Sequence, residues 1–563
     1  MSDQLSLVRG ADAPPLLEIT IGEALLEAAR KWPDAEALVS VHQGIRWTWR
    51  ELARRSDELA AGFLALGLEP GDRVGIWAPN CAEWTLVQFA TARAGLILVN
   101  INPAYRLSEV EYTLRKVGVK CLVSAKAFKT SDYVGMINEL APEIASSRPG
   151  QLRAARLPDL RCVVQIGGDP APGWLAFDVV ADYDEERHLA RVGEIAAKLD
   201  RNDAINIQFT SGTTGLPKGA TLSHRNILNN AFFVGAGMAL GPADRLCIPV
   251  PLYHCFGMVM GNLACVVHGA TMVYASEGYD PLAVLQAVEA ERCTALHGVP
   301  TMFIAELQHP EFDRFDLSSL RTGIMAGSPC PIEVMRKVID RMNMSEVGIG
   351  YGMTETSPVS FQTAIDDPLE RRVGTVGRVQ PHLEVKVIDG DGRIAPRGAP
   401  GELCTRGYSV MIGYWDDPEK TAEALDGEGW MHTGDLATID AEGYCNIVGR
   451  IKDMVIRGGE NVYPREIEEY LFRHPKIEDV AVVGVPDAKY GEELCAWVKL
   501  RAGEAATPEE ITGFCKGQIA HYKIPRYVKF VPAFPMTVTG KIQKFEIRKA
   551  MIAELGLAEQ KTA

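Results

Sequence analysis

The run Thr210-Ser211-Gly212-Thr213-Thr214-Gly215-Leu216-Pro217-Lys218-Gly219 concentrates hydroxyls, glycines and one lysine directly after the apolar stretch Ile205-Asn206-Ile207-Gln208-Phe209. Glycines let a backbone close around a phosphate and turn its N–H groups inward. The Thr and Ser hydroxyls add donors, and Lys218 adds a point charge for phosphate oxygens. A strand feeding such a loop predicts a grip for a nucleotide triphosphate. It is not the common P-loop, which ends in Gly-Lys-Ser/Thr and runs straight into a helix. Here Pro217 precedes Lys218 and Gly219 follows it, so another architecture is implied. A polar surface linker is the competing reading; the lysine and the flanking strand argue against it.

Other segments carry chemistry-bearing side chains: Pro251-Leu252-Tyr253-His254-Cys255-Phe256-Gly257, Ala326-Gly327-Ser328-Pro329, Tyr351-Gly352-Met353-Thr354-Glu355-Thr356 and Trp430-Met431-His432-Thr433-Gly434-Asp435. Gly449-Arg450-Ile451-Lys452-Asp453, Gly458-Gly459-Glu460-Asn461 and Pro535 to Gly540-Lys541 complete the set. Taken singly, Asp435 reads as a cap or turn residue, Glu355 as a solvated carboxylate and Lys541 as a surface lysine. Cys255 has no base partner and reads as a packed core thiol. Gly348-x-Gly350-x-Gly352 has the wrong spacing for a dinucleotide fingerprint.

The elements that must position these residues alternate between helix and strand in the first third. Thr20-Ile21-Gly22-Glu23 and Thr48-Trp49-Arg50-Glu51 are capping boxes. The second opens a helix with Leu52, Leu59, Phe63 and Leu66 on one face, ending near Gly67. Arg73–Trp77 and Leu96–Val99 predict buried strands, and the alternation predicts α/β layers with largely parallel sheets. Residues 128–198 are less regular and richer in Pro and charge, which predicts surface elaboration. After Arg372, short strands at Leu383–Ile388, Gly401–Thr405 and Tyr444–Val448, parted by turns such as Asp389-Gly390-Asp391-Gly392, predict a small β-rich subdomain over about 373–450. Beyond Arg450 a compact α+β unit follows, with a helix from Pro464 to Arg473, strands at Val480–Val485 and Cys495–Leu500, and a helix opened by Thr507-Pro508.

With 563 residues, the chain is too long for one domain. Its 47% hydrophobic and 23% charged residues fit an ordinary globular enzyme. A net charge of -15 argues against nucleic acid or an anionic membrane as main partner. The 12 cysteines show no C-x-x-C pair and no zinc-ligand spacing, which predicts free thiols in a reducing cytoplasm. The N-terminus has no signal pattern, and Leu86–Ile101, broken by Gln88, Arg93 and Gly95, is too polar to span a bilayer.

Together and in this order, the motifs resemble the acyl-adenylate-forming superfamily, which includes acyl-CoA synthetases, carrier-linked adenylation domains and beetle luciferases. The resemblance covers nearly the whole chain. Arg73–Tyr105 is similar to medium-chain fatty acyl-CoA ligases of the acyl-CoA synthetase family member 2 type. It implies a large N-terminal adenylation domain over residues 1–451, containing the β-rich subdomain, and a small mobile α+β domain over 452–563.

It also implies the roles. Thr210, Ser211, Gly212, Thr213, Thr214, Gly215 and Lys218 would hold the β- and γ-phosphates of ATP. Glu355 would hold Mg²⁺, and Thr354 would contact the α-phosphate. Gly327, Ser328, Pro329 and Tyr351, with Gly352 and Met353 beside it, would frame the adenine. Asp435 would bind the ribose hydroxyls, with Arg450 as a charged donor. Lys541 would stand between substrate carboxylate and α-phosphate. Lys452 would be the hinge, and Gly458 and Gly459 would line a tunnel for CoA. His254 would gate an acyl pocket formed with Gly257 and Met258, with a buried, satisfied histidine as its other reading; an apolar lining with Met258 and Met260 as flexible walls suits an aliphatic tail.

The implied reaction is ATP-dependent ligation of a fatty acid to CoA through acyl-AMP. Another carboxylic acid (short-chain, long-chain or aryl) and transfer to a carrier protein stay open as alternatives, as does a nucleotide-binding regulator without catalysis. A homodimer is a further expectation. Phe209 stands where the family commonly has Tyr, and Met536 where a basic residue is frequent; neither removes a group the chemistry needs.

Overall fold

The computed structural model describes residues 5–148, 150–183, 186–210, 217–328, 330–457, 460–487, 489–537 and 541–557. Both capping boxes form, with Thr20 and Thr48 side chains accepting from the backbone N–H groups of Glu23 and Glu51 and each glutamate reaching back. The helix opened by Thr48 runs Trp49–Ala65 and is stopped by Gly67, whose φ of +86° an L side chain would resist.

An eight-stranded sheet holds Arg73–Trp77 between Ile97–Asn100 and Val119–Ala125, all parallel. The strands cross over through helices Ala82–Ala94 and Leu107–Lys116. At one side of this sheet Ala204–Thr210 and Lys218–Ser223 pair antiparallel, with Thr210 opposite Lys218. The phosphate-grip candidate therefore joins two strands of a hairpin, not a strand and a helix. A nine-stranded sheet carries Thr322–Ala326 beside Glu346–Gly352 in parallel. Helix Ala82–Ala94 buries every residue but Glu83, because apolar side chains from both sheets enclose it in one cluster.

The β-rich subdomain is a five-stranded sheet ordered Leu7–Arg9, Leu383–Ile388, Gly401–Gly407, Met431–Ile439, Cys445–Arg450. The N-terminal strand is an addition the short Leu-Val-Arg run did not announce. From this region Gly413–Tyr414 reaches across to pair with Lys218–Ser223 of the eight-stranded sheet.

Residues 128–198 depart from the expected surface elaboration. Cys162–Ile166 is a buried strand pairing in parallel with Val119–Ala125, and Ile137, Leu140, Leu160 and Trp174 join a core cluster. A five-residue apolar strand flanked by Pro and charge offers too little periodicity to stand out.

After a 3₁₀ turn at Ile451–Asp453, strands Ile477–Asp487 and Gly491–Leu500 form the long antiparallel pair of a separate sheet, with Ile477–Asp487 at its edge. Side chains alternate between its faces. Val480, Val482, Ala496 and Val498 pack on helices Pro464–Leu471 and Pro508–Cys515, while Ala481, Val483, Cys495 and Trp497 pack on Lys544–Glu554. The helix from Pro464 ends at Leu471, two residues short of the expected Arg473.

Candidate active site

Parallel strands present ligands at their C-terminal ends. Thr322–Ala326 ends there in Gly327 and Ser328, and its neighbour Glu346–Gly352 ends in Tyr351 and Gly352. Gly327 has φ +90°, and a Cβ on Gly352 would lie 1.7 Å from the Pro358 carbonyl oxygen. Glycine is thus required at both places. Met353 and the buried Thr354-Glu355-Thr356 turn follow, with the Met353 N–H donating to the Pro358 carbonyl at 2.9 Å.

Asp435 and Arg450 face each other across strands Met431–Ile439 and Cys445–Arg450. Arg450 Nε donates to Asp435 Oδ1 at 3.1 Å, and the Tyr351 hydroxyl donates to Asp435 Oδ2 at 2.7 Å. Burial, then the Asp435 charge, pushes the Tyr351 phenol well above its ordinary value, so it stays a donor.

A second chain of contacts begins at Lys218. Its Nζ donates to the Tyr414 hydroxyl at 2.9 Å, and that hydroxyl donates to Glu355 Oε1 at 2.8 Å. Lys218 Nζ also lies 4.2 Å from the Tyr414 ring centroid. Sequence reasoning missed Tyr414; no local pattern marks a tyrosine whose place depends on a strand pairing.

Lys541 comes from the C-terminal sheet's side of the molecule. The Lys541 N–H donates to Thr537 Oγ1 at 3.1 Å, and the Thr537 N–H donates to the Lys541 carbonyl at 2.8 Å, which ties the Lys541 backbone to Thr537. Its ammonium is held below its ordinary pKa, first by desolvation, then by the Arg450 charge, against the pull of Asp435 and Glu355. Lys452 is lowered in the same way by desolvation and Arg450, with Lys218 also acting on it. Six charged groups, Lys218, Glu355, Asp435, Arg450, Lys452 and Lys541, therefore share one electrostatic neighbourhood.

His254 is half-buried, its Nδ1 accepting from the Phe256 N–H at 3.4 Å. Desolvation and then the Lys541 ammonium push its pKa down to about 3, so it is neutral at neutral pH. Cys255 is fully buried and its thiol is pushed up, so it is no nucleophile.

Phe256–Leu263 forms a π-helix, a wide turn that leaves carbonyls for other partners. Gln88 Nε2 donates to the Met258 carbonyl at 3.3 Å, and His297 Nε2 lies 3.1 Å from the Met260 carbonyl. A Cβ on Gly257 would lie 2.4 Å from the Pro251 carbonyl oxygen, so the chain can double back there only with glycine. Met258 is not a loose wall as expected: its sulfur accepts from Asn100 Nδ2 at 3.1 Å and Gln208 Nε2 at 3.2 Å. Two amide donors converge because Asn206 and Gln208, two apart on one strand, share a face with Asn100 beneath the π-helix. That alternation of amides within an apolar run was visible in the sequence.

Thr210 is described, with Oγ1 donating to the Lys218 carbonyl at 3.4 Å. Ser211, Gly212, Thr213, Thr214, Gly215, Pro329, Gly458 and Gly459 lie outside the described residues. No helix among the described residues is long and apolar enough to cross a membrane.

Known proteins were compared with this chain. YngI of Bacillus subtilis (strain 168) is 49% identical over 96% of this chain and 99% of its own length. The medium-chain acyl-CoA ligase ACSF2, mitochondrial, of Danio rerio is 49% identical over 98% of this chain and 91% of its own. Among solved structures, the anthranilate CoA ligase AuaEII in complex with anthranoyl-AMP superposes with a TM-score of 0.86 at 28% identity, covering 97% of this chain and 99% of that one. The AMP-binding enzyme family model matches residues 25–415, and the model for the AMP-binding enzyme C-terminal domain matches 466–541. Matched by these two models over most of its length, the chain belongs to the AMP-binding enzyme family.

Proposed function

We propose that this protein is an ATP-dependent acid–thiol ligase that activates a medium-chain fatty acid as acyl-AMP and passes the acyl group to CoA. The observation that carries this reading is that the desolvated Lys541 ammonium lies within the electrostatic reach of Arg450, Asp435 and Glu355, all more than ninety residues earlier in the chain. Acyl transfer through an adenylate needs a cation where two anions, carboxylate and α-phosphate, must approach. Lys541 supplies it, in a desolvated setting where a charge acts strongly.

Asp435 orients the ribose as an acceptor, its own geometry held by Tyr351 and Arg450. Tyr351, Gly327 and Ser328 frame the adenine, with Gly352 and Met353 beside it. Thr354 contacts the α-phosphate. Thr210, the glycine-rich segment and Lys218 hold the departing pyrophosphate. Glu355 suits Mg²⁺, since a buried carboxylate is a hard oxygen donor; when bound, the ion neutralises phosphate charge. The neutral His254 stands at the mouth of the acyl site, bounded by Gly257 and Met258, and holds no proton that the carboxylate would take.

Lys452, in the 3₁₀ turn between the two parts of the chain, serves as the hinge between domains 1–451 and 452–563. Rotation there withdraws Lys541 after adenylation and carries Gly458 and Gly459 toward the site, where CoA enters. The name of the zebrafish relative supports a medium-chain acid, and that of AuaEII keeps an aryl acid as the second reading. A homodimer and a cytoplasmic location complete the proposal; the reducing cytoplasm suits twelve buried free cysteines, although the zebrafish relative is named as mitochondrial.

The test is AMP formation from ATP with a panel of straight-chain acids from short to long, plus an aryl acid, each with and without CoA. CoA-dependent turnover with a medium-chain optimum is expected. Acyl-AMP that accumulates without thioester would overturn the CoA step, and no turnover with any acid would overturn the enzyme itself.

A further inference from the structure

On the β-rich subdomain, Glu402, Cys404 and His432 bring a carboxylate, a thiol and an imidazole together, all three ligand atoms within 4.8 Å of one another. Glu402 and Cys404 are two apart on strand Gly401–Gly407, so their side chains share a face. His432 sits directly opposite Cys404 on Met431–Ile439. His432 Nδ1 is 3.1 Å from Glu402 Oε2 and 3.7 Å from Cys404 Sγ. Its other nitrogen, Nε2, is 3.7 Å from Asp426 Oδ2.

We propose that Glu402, Cys404 and His432 form a binding site for a zinc-class divalent cation. Thiolate, imidazole and carboxylate suit a borderline-soft metal and do not suit Mg²⁺. Asp426 then plays the outer part: its carboxylate faces the Nε2 side at ion-pair distance and favours the tautomer that carries its proton there, which leaves Nδ1 free for the metal. Three protein ligands leave a fourth position for water. Cys404 Sγ is buried, whereas the His432 side chain is 30% exposed and opens the site to solvent. Binding replaces the S–H bond of Cys404 by a sulfur–metal bond and releases that proton to solvent. Glu402, Asp426 and the Cys404 thiolate carry three negative charges against the dication and the nearby Lys386, whose charge bears on both Cys404 and Asp426.

The site touches the nucleotide cleft through the backbone. Glu402 Oε1 accepts from the Gly434 N–H at 3.2 Å, and the next residue is Asp435. A metal on Glu402 thereby stiffens the strand segment that aims Asp435. The proposal rests on the geometry of these side chains and stands apart from the ligase reading.

The test uses the full-length protein, without ATP, titrated with Co²⁺ as the spectroscopic probe and Zn²⁺ as competitor. Stoichiometric Co²⁺ is expected to give a thiolate-to-metal charge-transfer band with tetrahedral d–d absorption, which Zn²⁺ removes. Cys404→Ser abolishes the charge-transfer band, and His432→Gln weakens cobalt binding. Asp426→Asn, which leaves all three ligands, weakens affinity by about tenfold or more. Far-ultraviolet circular dichroism checks that each variant is folded, and the Asp426 and His432 variants carry the test if Cys404→Ser does not fold. Absence of a thiolate band in the unsubstituted protein, its persistence in Cys404→Ser, or unchanged affinity in both other variants would overturn the proposal.

Discussion

The Tyr414 hydroxyl accepts from the Lys218 ammonium and donates to the Glu355 carboxylate, so one phenol ties the two charged groups proposed to hold the triphosphate and its metal ion. Burial and the Glu355 charge raise its pKa, which keeps the proton on oxygen and the donor role intact. Tyr414→Phe keeps the ring over which Lys218 lies and removes both hydrogen bonds. Hydrogen bonds to charged groups contribute about 1.5–3 kcal/mol. The expected result is a loss of about tenfold or more in kcat/KM for ATP, measured by pyrophosphate release, with the fold unchanged. Activity equal to the parent would show that Lys218 and Glu355 find their places without the phenol.

At the scale of elements, the π-helix Phe256–Leu263 shapes the candidate acyl site, and its wide turns are held by side chains from outside it. His297 is the most exacting of these. Its Nδ1 accepts from the Ile324 N–H at 3.2 Å while Nε2 faces the Met260 carbonyl, so only the neutral ring with its proton on Nε2 satisfies both. Desolvation lowers its pKa from 6.5 to about 4, with the Met260 carbonyl pulling the other way. Between those values the unfolded chain binds more protons than the folded one. The stability His297 contributes is therefore complete above pH 6.5 and is lost as pH falls toward 4, by about 1.4 kcal/mol per pH unit. Thermal midpoints recorded across this window should fall less steeply for His297→Gln than for the parent protein. Identical slopes would mean that His297 is not buried neutral.

Across the whole molecule, the decisive arrangement is Lys541 docked against groups of the N-terminal sheets. Arg465 Nη1 donates to the Ile447 carbonyl at 2.7 Å, which seats helix Pro464–Leu471 on strand Cys445–Arg450 and helps hold that pose. If this is the pose for adenylation, Lys541→Ala should lower acyl-AMP formation by at least about a hundredfold, as loss of one strong transition-state contact does. Thioester formation from supplied acyl-AMP should survive, because that step follows withdrawal of Lys541. Equal loss of both half-reactions would contradict the two-pose assignment.

Much of this was legible along the chain. Capping boxes, the buried strand Arg73–Trp77 and the alternating strands after Pro464 follow from local pattern, since helix caps and period-two burial are decided by neighbours in sequence. Cys162–Ile166 was not, because a short apolar strand among prolines leaves no period to count. Met258 was read as a flexible wall because its thioether is mobile in isolation; only the fold supplies two amide donors to pin it.

Residue order along the chain marks which residue types could meet a nucleotide and an acid: the hydroxyl- and glycine-rich run before Lys218, and the motifs around Glu355, Asp435 and Lys541. Motif order suffices for that because each motif carries its chemistry in its own few residues. Which groups act on one another depends on how the strands and sheets pack. Tyr414 reaches Lys218 through a strand pairing, and Cys404 meets His432 across a ladder, although no spacing along the chain announces a metal site. Lys541 feels Arg450 only because a separate sheet docks there. Contacts between strands and sheets depend on register and docking, which no run of neighbouring residues encodes.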